Sequence, residues 1–233
     1  MTAPPSAAGP GPRAARRRDL LTDVLVVGAP YALALTGGQA VRAHGLVERV
    51  SRDVDVATES QADMASIAGA LRAGLTAYGW SVRVRETAPL AAGLLVTDPA
   101  TGERREVTVA KETLWRPPVS TGLGPALALE DVVGTKVRAL ADRGLARDLV
   151  DVHAAAARWT LPELEELGRR HAPDVFDLAD LAARLTGLDW IDDTEFTAHG
   201  LDDDAVAGLR RWAQAWADDI AERLVEGGAP EEE

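Results

Sequence analysis

The sequence predicts an α/β (α+β) protein: a small mixed sheet with helices over residues 19–124, then an all-helical region over 125–226. Three observations carry this. Short apolar runs and alternating apolar–polar runs, bounded by Gly, Pro and Asp, fill the first half. A break containing Pro117, Pro118, Gly122, Gly124 and Pro125 follows. Beyond it the apolar positions recur only at helical spacing.

The elements follow in order. Residues 1–18 hold four Arg, four Pro and no acid, and are expected to be a disordered tail. Asp19 to Val27 is an amphipathic helix stopped by Gly28 and Pro30. Tyr31 to Leu35 is a short apolar strand, and a helix from Gln39 to Leu46 follows Thr36-Gly37-Gly38. Arg49 to Val56 reads as a strand with acids at alternate positions, and Gln61 to Tyr78 as a helix. Trp80–Arg85, Leu94–Val96 and Glu106–Ala110 are strands, the last two joined by the turn Asp98–Gly102. Helices are expected over Leu129–Asp142, Ala146–Trp159, Pro162–His171, Val175–Leu185 and Asp204–Leu224, with a frayed tail over 227–233.

Composition excludes several function classes. No cysteine is present, so disulfide scaffolds, zinc–thiolate sites, iron–sulfur sites and a cysteine nucleophile are ruled out. A net charge of −12 argues against broad DNA binding, which needs a basic footprint. The run from Arg16 through Leu35 resembles a secretory leader, but Asp23, Gly28 and Pro30 interrupt it. No apolar stretch reaches the roughly 18 residues of a membrane span. A cytoplasmic location is the expectation.

Two motifs carry chemistry. Asp53 and Asp55 lie two apart on a strand and so share a face, roughly 6–7 Å apart at the backbone. Such a pair repels itself unless a cation lies between, and Mg²⁺ takes a few carboxylate oxygens while keeping positions for phosphate. The alternative is two solvated acids on an exposed strand face. Thr36-Gly37-Gly38 opens a helix, where two glycines let the backbone approach an anion. It lacks the Lys of a Walker loop and the third glycine of a dinucleotide fingerprint.

Together the segments Leu35-Thr-Gly-Gly-Gln-Ala-Val-Arg-Ala-His-Gly45 and Arg49-Val-Ser-Arg-Asp-Val-Asp55 resemble the active-site region of the AbiEii/AbiGii-type abortive-infection toxins, members of the nucleotidyltransferase superfamily. A second stretch, Glu130 to Leu140 with Lys136, then Arg143 and Arg147-Asp148-Leu-Val-Asp151, resembles that family's helical motif. The resemblance covers roughly residues 19–160. It implies a nucleotidyltransferase core, an NTP substrate, Mg²⁺ or Mn²⁺, transfer of a nucleotidyl group to a tRNA or protein hydroxyl, and an antitoxin partner. Carried across, Asp53 and Asp55 hold metal. Gly37, Gly38 and Ser51 line the phosphates, Lys136 neutralises the triphosphate, and Arg147 and Asp148 complete or orient the site. Asp53, Asp55, Lys136 and Asp148 are then the catalytic set. Plainer readings make Lys136 a solvated helix residue, Arg147 and Asp148 intrahelical pairs, and Arg49 and Arg52 surface charge.

One position departs from the pattern. The superfamily's third carboxylate falls at Thr108, which carries no charge. Glu106, Glu112 or Asp148 is the expected substitute. Two functions therefore follow: an active toxin, or a weakened homologue that binds nucleotide or a partner without turnover.

Overall fold

The structure is a computed structural model that describes residues 19–49, 51–172 and 175–227. The expected tail over 1–18 and residues 228–233 of the expected frayed end lie outside these residues.

The chain begins with α1 (Leu20–Gly28), a short 3₁₀ turn, β1 (Ala34–Leu35), α2 (Gly37–Ala43), β2 (Val54–Thr58) and α3 (Met64–Ala77). Next come β3 (Ser81–Thr87), β4 (Ala91–Thr97), β5 (Arg104–Lys111), β6 (Val119–Thr121) and β7 (Gly124–Ala126). The remainder is α4 (Leu129–Arg143), α5 (Ala146–Ala155), α6 (Leu161–Arg170), α7 (Leu178–Thr186), α8 (Asp193–Thr197) and α9 (Asp203–Gly227).

Among the described residues the strands form one seven-stranded mixed sheet in the order β3-β4-β5-β2-β1-β7-β6. β2 runs parallel to β5, and β1 parallel to β7; the other pairs are antiparallel. Alternation along the strands buries Val54, Val56, Val107, Val109, Leu94 and Val96 against one core, shared with Leu20 and Val24 of α1 and Ile67, Leu71 and Leu75 of α3. The same alternation turns Asp55 and Thr108 to the opposite face. A second cluster joins Val133, Val137 and Leu140 of α4 to Leu149, Leu164, Leu181 and Trp216 of the later helices. α4 belongs to both, since Val132 packs into the first cluster.

Local chemistry explains the element ends. Asp63 caps α3 by accepting from the Ser66 amide at 2.8 Å. Thr160 and Glu163 form a reciprocal capping box at α6. Gly144, at φ +61°, closes α4 in the left-handed conformation.

Five expectations need correction. The strand expected from Arg49 starts only at Val54, so Asp53 precedes it. Gly37 and Gly38 are the first two residues of α2, not the turn before it. The Pro/Gly-rich break contains the β6–β7 hairpin, which Thr121 stabilises by donating to the Gly124 carbonyl at 2.7 Å. Val175 lies outside α7. No helix was expected between Leu185 and Asp204, yet Asp193–Thr197 forms the short helix α8, with Asp192 as its cap.

Candidate active site

The sheet wall is built around Asp55. The Thr36 amide donates to the Asp55 carbonyl at 2.9 Å as β1 ends, which lays α2 against β2. Gly37 sits at φ +57°, and a Cβ there would fall 2.4 Å from Asp55 Oδ2, so only glycine fits. A Cβ on Gly38 would lie 3.1 Å from Ser51 Cβ. The segment before β2 is held by Gln39, whose amide donates to the carbonyls of Ser51 at 2.7 Å and Asp53 at 3.3 Å. Asp53 Oδ1 accepts from the Glu106 amide at 3.0 Å. In the parallel β2–β5 pair Asp55 stands in register with Thr108, whose hydroxyl hydrogen-bonds the Asp55 carboxylate.

The facing wall comes from α4 and α5 and consists of ion pairs. Lys136 Nζ lies 3.1 Å from Asp148 Oδ1 and 2.8 Å from Asp151 Oδ2. Arg143 Nε donates to Asp148 Oδ2 at 2.8 Å. Arg49, from the segment before β2, donates to both oxygens of Asp151, at 2.8 and 2.7 Å. The Asp148 and Asp151 side chains have no solvent exposure, and that of Lys136 has 8%. Buried carboxylates of this kind survive only when paired.

The two walls differ electrostatically. Burial pushes the Asp55 carboxyl above its ordinary value, with Asp53 adding to the rise; Lys136, Thr108 and Arg147 oppose it without cancelling it. Burial acts on Asp148 in the same direction, but there the hydrogen bond from Arg143 and the charge of Lys136 win and hold it below.

Between the walls lies a cleft of about 350 Å³. A profile of the family described as "Nucleotidyl transferase AbiEii toxin, Type IV TA system" matches residues 19–222 of the chain. The chain belongs to the AbiEii nucleotidyltransferase toxin family. No curated protein sequence matches it significantly. Among solved structures it is similar to MenT4, a nucleotidyltransferase toxin from Mycobacterium tuberculosis H37Rv, at 17% identity and TM-score 0.56, over 84% of this chain and 81% of that one. It is also similar to JHP933 from Helicobacter pylori, at 16% identity and TM-score 0.50, over 89% of this chain and 93% of that one. These likenesses establish a shared fold.

Within this AbiEii chain, Gly37, Gly38, Ser51, Asp53, Asp55, Lys136 and Arg147 all line the cleft. Asp148 does not; it lies behind Lys136 and Arg143 and holds them. Lys136 is not a solvated helix lysine, and Arg49 is not surface charge. Asp151 was visible only as part of the quoted Arg-Asp-x-x-Asp motif, and no local signal pairs it with Arg49, since 102 residues separate them. Arg138, which also lines the cleft, carried no sequence signal.

The candidates for the missing third acid are all engaged. Glu106 pairs with Arg85. Glu112 is held by both terminal nitrogens of Arg138, at 3.0 and 2.8 Å. Among the described residues no cluster of three or more His, Cys, Asp or Glu side chains is disposed to hold a metal. Two acids at one cleft, one carrying uncompensated burial, nevertheless suit a hard divalent cation that takes its remaining ligands from phosphate and water. His44, His153, His171 and His199 form no metal set. His171 is structural, its Nε2 2.9 Å from the buried Asp131.

Among the described residues no helix is long and apolar enough to cross a membrane.

Proposed function

We propose that this AbiEii-family chain transfers a nucleotidyl group from an NTP to an acceptor hydroxyl, on tRNA or protein, as the cytoplasmic toxin of a toxin–antitoxin pair. The observation that carries the reading is the meeting in one cleft of Asp53, just before β2, and Asp55, on it, with Lys136 and Arg147 on the helices. Nothing in composition brings these four together, and a triphosphate needs both kinds of charge.

Asp53 and Asp55 would hold Mg²⁺ or Mn²⁺, which when bound offsets charge on the phosphates. Gly37 and Gly38 bring the α2 backbone close against Asp55 and Ser51, beside which a phosphate would lie. Ser51 offers a hydroxyl, and Lys136, Arg147 and Arg49 provide positive charge toward the pyrophosphate end. Asp148 and Asp151 fix Lys136 rather than touching substrate. In the reaction the acceptor oxygen bonds to the α-phosphorus, the bond from the α-phosphorus to the oxygen bridging to the β-phosphate breaks, pyrophosphate leaves with that oxygen, and the acceptor proton passes to water.

A second reading is favoured by Thr108 and by the engagement of Glu106, Glu112 and Asp148: the chain binds nucleotide, or a partner, without turnover. Incubation with each labelled NTP, Mg²⁺ and total tRNA or protein separates the two. Label on an acceptor supports transfer. Tight NTP binding without label supports the second reading, and absence of NTP binding defeats transfer and leaves only partner binding of the second.

A further inference from the structure

The cleft continues into a second groove of about 880 Å³, and Ala110, Glu112 and Arg138 line both. Resting on the nucleotide reading above, the arrangement of groups along the cleft limits where each part of an NTP can go. On that reading Gly37, Gly38, Ser51, Arg49 and Arg147, which line the cleft with Asp53 and Asp55, take the triphosphate. In-line displacement places acceptor and leaving pyrophosphate on opposite sides of the α-phosphorus, so the nucleoside must turn away from that line. The wall left for it is formed by Ala110 and Glu112 from the β5 side and Arg138 and Ala139 from α4.

This wall has the form of a base site. Thr108, Ala110 and Glu112 alternate along the cleft side of the β5 segment, leading away from Asp55 at about 6.6 Å per pair. Ala110 and Ala139 are small, apolar and half-buried, one from the sheet and one from the helix. Beyond them Glu112 and Arg138 form a two-point pair, 13% and 23% exposed, so water screens it little. Arg138 NH1 also donates to the His171 carbonyl at 2.6 Å, which fixes the guanidinium from behind. A carboxylate beside a guanidinium presents an acceptor next to donors, and the edge of a nucleobase offers the complementary groups.

We propose that the nucleobase of the NTP sits between Ala110 and Ala139 and is read by the Glu112–Arg138 pair, which makes these residues the determinants of nucleotide choice. The pair is then a specificity device at the mouth of the second groove, and Glu112 is not the missing third carboxylate.

The test is calorimetric titration of the full chain, with Mg²⁺, by each of the four ribonucleoside triphosphates and by inorganic tripolyphosphate. Wild type is expected to rank the four NTPs unequally. Ala139→Leu fills the slot and should weaken every NTP by roughly tenfold to a hundredfold, while tripolyphosphate stays within about twofold. Glu112→Gln, whose amide donates as well as accepts, should change the ranking with tripolyphosphate again unmoved. If tripolyphosphate affinity falls in step with the NTPs, these residues serve the phosphates or the fold and the proposal is overturned. Equal binding of all four NTPs by wild type and both variants overturns it too. A wild type that binds neither NTP nor tripolyphosphate instead defeats the nucleotide reading itself, and the base site with it.

Discussion

The two walls of the cleft solve the same problem in opposite ways. On the helical wall, Lys136, Arg49 and Arg143 are matched to Asp148 and Asp151, and the carboxylates are fully buried. On the sheet wall, Asp53 and Asp55 face the cleft with no cation bonded to either among the described residues, and Asp55 is raised by its burial. The buried acids of the helical wall are paired within the protein alone, whereas those of the sheet wall are left open to what would bind. Proximity to the site therefore does not tell Asp55, which faces the cleft, from Asp148, which anchors Lys136 and Arg143; pairing does.

Four experiments break or sharpen this contrast. The largest effect is expected on the completed wall. Asp151→Ala leaves Arg49 and Lys136 buried without that partner and should lower the unfolding free energy by about 3–5 kcal/mol in chemical denaturation. A loss under about 1 kcal/mol would show that the network does not support the fold. On the open wall, Asp53→Ala and Asp55→Ala should each reduce transfer by roughly a hundredfold or more. Stability should stay within about 1 kcal/mol of wild type, since no cation partner among the described residues is orphaned. Loss of fold with normal activity in the folded fraction would remove both acids from the site.

Arg147 is the intermediate case, because it lines the cleft yet makes no ion pair among the described residues. Arg147→Ala should weaken NTP binding by roughly tenfold and leave stability within about 0.5 kcal/mol. Unchanged affinity by calorimetry would make it an exposed helix arginine.

The smallest effect is in pH. Asp148 lies below its ordinary value of 3.8, so its contribution is present above that pH and is lost as pH falls through its lower folded value. Asp55 lies above 3.8, so without divalent cation its burial costs stability as pH rises from 3.8 through its raised folded value. Asp55→Asn should therefore melt above wild type at neutral pH in chelator, and the gap should close as the solution is acidified. A constant gap across that range would show that Asp55 ionisation is not the cause.

Much of the fold was legible because it rests on local rules. The helices α3, α4 and α9 follow apolar periodicity, and β3 to β5 follow alternation with a turn at Asp98–Gly102. The β6–β7 hairpin was not legible, because Gly124 and Pro125 are poor strand residues and only pairing with β1 and β6 holds them there. The site residues were named through motif resemblance, and the structure brings seven of them to one cleft. What the sequence could not give was the division of labour. Asp55 and Asp148 are both acids in recognised motifs, and only three-dimensional pairing separates a carboxylate that faces the cleft from one that anchors a lysine.

The bond from Arg49 to Asp151 has a consequence for how the protein is made. The partners are 102 residues apart, so at about 5–20 residues per second a ribosome needs roughly 5–20 s between them. For most of that interval the glycines and the paired aspartates already exist as chain, but the helical wall and its lysine do not. A growing polypeptide thus carries half a cleft, and the second half arrives only once α4 and α5 have been made.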